Sequence, residues 1–196
     1  MTSASVDLFW IPLGAGASAA RVSGAIYEAG LALVQHRPRC DLYHSALVID
    51  APEGRYVIEQ TPVPDSHGAQ RGVVAGGAVG TRWAGRFRIF RYEVRRWLGG
   101  QIPDVGAAVS GPQRLSEDPV LAQRVLDAAP MVPTPVWGRD EFRTGEMWNS
   151  NSVIAWILAR AGLDLGGVQP PAHGRAPGWN AGLMVANEQV RPLFVP

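Results

Sequence analysis

The chain has 196 residues, 46% of them hydrophobic and 18% charged, which suits one domain with a buried core and leaves little room for a second. A formal net charge of +1 excludes a global field that would attract nucleic acid or an anionic membrane. The single cysteine, Cys40, excludes an intrachain disulfide and any zinc site built from several cysteines. No helix terminus is predicted next to Cys40, so we expect its thiol to be structural. No apolar run reaches membrane-spanning length, so we expect a cytoplasmic protein with no membrane span.

The first half of the chain predicts an antiparallel sheet. Short apolar or alternating runs bounded by turn residues predict strands, and the sequence Ala-Pro-Glu-Gly at 51–54 joins two of them into a hairpin. Apolar positions at helical spacing over residues 17–36 predict a helix that ends before Pro38. The predicted strands cover residues 6–12, 42–50, 55–62, 72–79 and 86–97.

The second half predicts two helices. Ser116 is the predicted N-cap of a helix that runs to about residue 129. A second helix follows the cap-forming sequence Asn-Ser-Asn-Ser at 149–152 and ends at Gly162. The first helix has Pro119 in its first turn, and the second has apolar positions at helical spacing.

Prolines dominate the end of the chain. Five of them follow residue 168, which predicts an irregular strap closing over the domain. The elements together predict a single α+β domain over residues 1–196, with an antiparallel sheet of about five strands packed against helices.

The only local excess of basic residues lies between residues 82 and 96. All 18 basic residues of the chain are arginines, and six fall in this segment: Arg82, Arg86, Arg88, Arg91, Arg95 and Arg96. They alternate with apolar residues, which predicts the solvated face of a strand. The alternative interpretation is a binding stripe, although we expect no nucleic-acid partner.

The segment 147–163 carries the most informative chemistry. Ser150 lies at the predicted first turn of a helix, where the helix dipole and free backbone N–H groups stabilise an oxyanion or an ionised nucleophile. The simpler interpretation is that Ser150 or Ser152 is only an N-cap. Asn149 and Asn151 are candidate oxyanion donors or caps, and Trp148 is either the wall of a cleft or a hydrophobic staple.

Two further polar residues lie inside the predicted hairpin. His44 is in the first strand and Glu59 in the second, close to opposite each other if the turn is centred on residues 53 and 54. A carboxylate within reach of a histidine orients the ring and makes it more basic. A histidine, a carboxylate and a hydroxyl at a helix start are the components of nucleophilic acyl transfer. Each alone is also compatible with a satisfied polar group at a strand end.

The order of these segments resembles a known family. His-Ser-Ala-Leu-Val-Ile-Asp, Arg-Tyr-Val-Ile-Glu-Gln and Asn-Ser-Asn-Ser-Val-Ile-Ala-Trp are similar to segments of the circularly permuted papain-like proteins of the NlpC type. That group includes YiiX-like enzymes and relatives of lecithin retinol acyltransferase. The resemblance implies a permuted papain-like core in which His44 is the base, Glu59 orients it, and Ser150 occupies the position of the family's nucleophilic cysteine.

The serine has two possible consequences. A thiolate is ionised before attack, whereas a serine hydroxyl loses its proton during attack and needs a well-placed base. The chain is therefore either a serine hydrolase or acyltransferase acting on an amide, thioester or ester carbonyl, or a catalytically silent domain that binds a ligand or regulates a partner. We expect a small-molecule or peptide substrate in the first case. The oligomeric state is not encoded in any pattern we recognise.

Other ligand-binding patterns are weaker. Residues 14–19 fit a dinucleotide fingerprint, but the following strands predict an antiparallel meander rather than parallel β-α units. His36, His67 and His173 lie in Pro-, Gly- or Arg-rich segments without metal-ligand spacing, so we expect surface residues. We accordingly expect neither a cofactor nor a metal.

Overall fold

The fold is built on an antiparallel sheet. The structure is a computed structural model, and it describes residues 4–13, 40–63, 72–102 and 105–190. Six strands lie in the order β4-β5-β3-β2-β1-β6, and the two-residue β7 pairs in parallel with the start of β2. The strands are β1 (Ser5–Pro12), β2 (Asp41–Ala51), β3 (Gly54–Pro62), β4 (Val73–Ala78), β5 (Arg91–Leu98), β6 (Gln113–Ser116) and β7 (Gly174–Arg175).

Three helices within the described residues pack beside this sheet. They are α1 (Pro119–Ala128), α2 (Ser150–Ala161) and α3 (Trp179–Val190). Helix α2 is the central one, because it contacts both other helices as well as β2 and β3. Ten of its twelve residues are buried, and Gly162 ends it in a left-handed conformation with φ of 90°. The main hydrophobic core therefore lies between one face of the sheet and these helices.

The two faces of the sheet carry different side chains. Leu47, Ile49 and Ile58 belong to the core shared with α2, so this is the helix face. Ala46 and Val57 belong to a smaller apolar cluster on the opposite face. Side chains alternate along both strands without a register shift, so each residue of β2 and β3 can be assigned to a face.

The α+β class is confirmed, and several boundaries differ from the predictions. The sheet has more strands than the five expected, because β6 and β7 are too short to leave a pattern in sequence. The N-cap of α1 is Asp118, whose carboxylate accepts from the Val120 N–H at 2.8 Å, and not Ser116. Helix α3 occupies twelve residues of the segment, from about residue 168 onward, that was expected to be an irregular strap. The predicted helix over 17–36, with the fingerprint at 14–19, lies outside the described residues.

The arginine-rich segment is only partly a strand. Residues 84–90 form two 3₁₀ turns, and β5 begins at Arg91 rather than at residue 86. Within β5, Arg95 is 5% exposed, so the expectation of a solvated face is wrong for this residue. It is buried because it lies between the carboxylates of Glu59 and Glu93, at 2.9 Å and 2.6 Å.

Candidate functional site

The candidate site lies where β2 and β3 separate. Their ladder runs from the turn to the pair Leu47–Ile58 and includes no pair beyond it, although β2 continues to pair with β1 and β3 with β5. Residues 43–46 of β2 and 59–62 of β3 therefore border an opening between the two strands. We call this opening the strand split.

Helix α2 begins at the strand split. The Leu13 N–H donates to the Leu42 carbonyl oxygen, so the next carbonyl along β2, that of Tyr43, points to the edge where β3 would continue the ladder. Asn151 Nδ2 donates to this oxygen at 2.9 Å, and Ser45 Oγ donates to Asn151 Oδ1 at 2.9 Å. The side chain of Asn151 thus takes the place of a strand neighbour and fixes the first turn of α2 against the edge of β2.

The cap of α2 is formed by Asn149 and Ser152, the first and last residues of the sequence Asn-Ser-Asn-Ser. Asn149 Oδ1 accepts from the N–H groups of Asn151 and Ser152 at 2.9 Å and 3.3 Å. The Asn149 N–H in turn donates to Ser152 Oγ at 3.1 Å, which completes a capping box. The cap interpretation therefore holds for Asn149 and Ser152 and not for Ser150.

Ser150 is the residue of this turn with unused hydrogen-bonding groups. It is the first residue of α2 and is 7% exposed. Within the described part of the chain, neither its hydroxyl nor its backbone N–H has a hydrogen-bond partner. A hydroxyl in this position next to the positive end of a twelve-residue helix can act as a nucleophile or bind an anionic or carbonyl oxygen.

The C-terminal segment holds the same turn from the other side. The Pro177 carbonyl oxygen accepts from the side-chain amides of Asn149 and Asn151 at 2.8 Å and 2.9 Å, and Ser152 Oγ donates to the Gly178 carbonyl at 2.7 Å. Gly178 has φ of 85°, and a Cβ there would lie 2.6 Å from Ser152 Oγ, so only glycine fits. Asn151 Nδ2 uses both of its N–H groups inside the protein, whereas Asn149 Nδ2 makes one such bond.

His44 and Glu59 share the face opposite to α2. The pair Val48–Val57 fixes the register, and both residues alternate onto the same side as this pair. Each belongs to a strand edge that borders the strand split. The structure thus places His44 and Glu59 on one side of the strand split and Ser150 on the other. A contact between Ser150 and His44 therefore has to pass through the strand split.

Glu59 is held as part of a buried ion pair. It is 7% exposed and accepts from Arg95 at 2.9 Å. Removing the guanidinium from this buried carboxylate would be costly, so Arg95 fixes the position of Glu59 at the edge of the strand split.

Gln60 is a site residue that sequence reasoning missed. It lies on the helix face two residues beyond Ile58, as Ser45 lies two residues beyond Leu47, so both border the split on the side of α2. Gln60 is 6% exposed, and neither atom of its amide has a hydrogen-bond partner in the described part of the chain. Buried amides are rarely left unpaired, which points to a ligand oxygen or water as the missing partner. The available signal was a glutamine in an otherwise apolar strand position.

The aromatic residues around the turn are structural. Trp148 is 1% exposed and contacts Phe142 with ring centroids 5.3 Å apart, so it belongs to the core rather than to the wall of an open cleft. Burial, followed by the charge of Asp41, raises the pKa of Tyr43, which keeps its phenol neutral beside the split.

Comparisons with family models, with curated proteins and with solved structures find no match to this chain. Among the residues that the structure describes, no cluster of three or more His, Cys, Asp or Glu side chains could hold a metal ion. None of the helices described is long and apolar enough to cross a membrane. His173 is exposed, as expected, whereas His36 and His67 lie outside the described residues.

Proposed function

We propose that the protein is a hydrolase or acyltransferase that acts on an amide, thioester or ester carbonyl, with Ser150 as its nucleophile. The observation that carries the proposal is the unused hydroxyl of Ser150 at the start of a helix whose cap is formed by other residues. A serine kept only as a cap would be expected to bond to the backbone N–H groups of its own helix.

The remaining roles follow from the position of the strand split. His44 takes the proton of Ser150 through the split as the bond from Oγ to the carbonyl carbon forms, and Glu59 holds the imidazolium. Collapse of the tetrahedral intermediate breaks the bond to the amine, thiol or alcohol, which leaves with the proton from His44. Water or another acceptor then attacks the acyl-serine ester and gives its proton to His44; the bond from the carbonyl carbon to Oγ breaks, and His44 returns the proton to Ser150.

Two groups are suited to stabilise the oxyanion. The backbone N–H of Ser150 is unpaired in the described part of the chain, and the amide of Gln60 is buried and unpaired on the same face of the sheet. Donors that are fixed before the reaction and shielded from water contribute most to such stabilisation. The side chains of Asn149 and Asn151 have the separate task of fixing the turn.

A second candidate function is a silent domain that binds a ligand at the split. It is favoured by one observation, namely that the alternation of β2 directs His44 away from the face on which α2 lies. Without a base, the hydroxyl of Ser150 and the amide of Gln60 would still bind a carbonyl or carboxylate oxygen. The resemblance of the sequence segments to papain-like proteins accommodates both candidates.

Covalent labelling distinguishes the two functions. A fluorophosphonate probe should label the wild type in a one-to-one ratio, leave Ser150→Ala unlabelled and label the control Ser116→Ala normally. His44→Ala should slow labelling by about 10²- to 10⁴-fold, the usual contribution of a general base. A wild type that stays unlabelled, with Ser150→Ala unchanged in melting temperature, would refute the enzyme and leave the binding domain.

A further inference from the structure

The loop between β4 and β5 exposes an unusual combination of side chains. We call residues 81–91 the Arg-aromatic loop; it leaves the outermost strand of the described sheet and makes two 3₁₀ turns before β5. Trp83 is 67% exposed and Ile89 79%, and Phe87 and Phe90 are also exposed. Large apolar side chains at this density mark an interaction surface rather than ordinary solvent-facing loop.

The charges of the loop have a single sign. It contains four arginines, Arg82, Arg86, Arg88 and Arg91, and no acidic residue. Glu141 binds Arg82 through both carboxylate oxygens, at 3.0 Å each, and so neutralises that arginine. Arg86 and Arg91 are exposed and form no ion pair within the described part of the chain, so the loop presents an excess of positive charge beside its apolar side chains.

The arginines and aromatic rings are organised together. The guanidinium of Arg86 lies 3.6 Å from the centre of the Trp83 ring and 5.5 Å from that of Phe87. Such contacts fix the rings relative to the guanidinium, which is itself exposed. Beside the loop, a depression of about 290 Å³ includes Arg91 and Thr134 in its lining, two donors that suit a phosphate group.

We propose that the Arg-aromatic loop docks the protein on an anionic lipid surface. Tryptophan and phenylalanine enter the boundary between headgroups and acyl chains, isoleucine enters the hydrocarbon, and arginines bind the lipid phosphates. The proposal does not depend on the chemistry at the strand split.

Other occupants fit the loop less well. Nucleic acid would match the arginines and the aromatic rings, but Ile89, the most exposed of the large apolar residues of the loop, neither stacks on bases nor forms side-chain hydrogen bonds. A second copy of the chain in a two-fold interface would bring the same patch, with its excess of arginines, against itself. An anionic lipid surface satisfies the charge and the apolar groups at once.

Vesicle binding tests the proposal with the full chain. Wild-type protein is mixed with vesicles of phosphatidylcholine alone or with 30 mol% phosphatidylglycerol, and the bound fraction is measured by flotation. We expect at least about tenfold stronger partitioning onto the anionic vesicles, and a loss of that preference in high salt. Failure of the wild type to bind either vesicle, or equal binding to both, overturns the proposal.

Two double variants separate the contributions. Trp83→Ala/Ile89→Ala and Arg86→Gln/Arg91→Gln should each weaken partitioning by about tenfold or more. The matched controls are Val120→Ala/Met184→Ala for exposed apolar area and Arg124→Gln/Arg143→Gln for charge, and both should bind as the wild type does.

The readouts also identify a different occupant. Circular dichroism and melting temperature should not change in the loop variants, because these side chains are exposed. Wild-type binding that survives both loop variants overturns the proposal. The proposal is also overturned if the wild type sediments as a dimer and the loop variants sediment as monomers. It is overturned as well if the loop variants lose affinity for an oligonucleotide in parallel with their loss of affinity for vesicles.

Discussion

Replacing Asn151 by alanine tests how α2 is held at the strand split. The side chain makes three hydrogen bonds of 2.9 Å: one from Ser45 Oγ, and two to the carbonyl oxygens of Tyr43 and Pro177. Pro177 keeps its bond from Asn149 in the variant, so two buried groups lose their partner. At about 1 to 3 kcal/mol for each orphaned group, and with the Ser45 hydroxyl free to turn, the free energy of unfolding should fall by about 2 to 4 kcal/mol.

Urea unfolding at pH 7, followed by far-ultraviolet circular dichroism, measures this loss. The midpoint should fall while the m-value stays unchanged. Asn180→Ala is the matched control: Asn180 is exposed and donates only to Glu146, at 3.3 Å, so its loss should change stability by less than about 0.5 kcal/mol.

A double variant isolates the bond itself. The loss of stability in Ser45→Ala/Asn151→Ala should be smaller than the sum of the losses in the two single variants by about 1 kcal/mol. The reason is that Ser45→Ala already removes one hydrogen-bond partner of Asn151. An Asn151→Ala protein within about 0.5 kcal/mol of the wild type would refute the assignment of Asn151 as the anchor of α2.

Three further changes test the packing and the electrostatics. In Gly182→Ala the new Cβ would clash with the Ser152 carbonyl oxygen of α2, so the free energy of unfolding should fall by about 1 to 3 kcal/mol in a thermal unfolding experiment. In Gly167→Ala the new Cβ meets open space, and the stability should stay close to that of the wild type. Arg95→Met removes the guanidinium that contacts the buried carboxylate of Glu59 and the half-buried carboxylate of Glu93, and should cost about 3 to 5 kcal/mol. The exposed ion pair lost in Arg55→Met should cost less than about 1 kcal/mol, and equal losses would contradict the burial argument. The Val136 N–H, followed by Arg82, lowers the pKa of Glu141 below its usual value. The ionised carboxylate therefore stabilises the fold above that usual value, and this contribution is lost as the pH falls through the lowered pKa. The stability of the wild type should drop more steeply between about pH 5 and pH 3 than that of Glu141→Gln.

The helix at the site was predictable because its signals are local. Four cap-forming residues, apolar positions at helical spacing and a terminal glycine specify α2 without help from the rest of the chain. The hairpin was predictable for the same reason, since its turn and its alternation lie within about twenty residues. Local sequence also sufficed to place His44 and Glu59 on adjacent strands.

The face on which His44 lies was not predictable from its neighbours. His44 and Ser45 are adjacent, so one of them must point to each side, and the choice depends on which of two apolar sets of β2 packs against α2. The burial of Arg95 required the register between β3 and β5, which sets it opposite Glu59. Helix α3 was missed because Pro177 predicted irregular chain, although proline is tolerated just before a helix.

The first turn of α2 donates hydrogen bonds to the carbonyl oxygens of Pro177 and Gly178, so the site depends on a segment that follows it in sequence. These carbonyls lie 26 to 28 positions after the side chains they accept from, and α2 is already complete in sequence before they are synthesised. During translation, Asn149, Asn151 and Ser152 emerge first and lack their final partners until the later segment reaches them. A chain released before residue 177 would retain every proposed reacting group, yet it would lack the segment that sets their geometry.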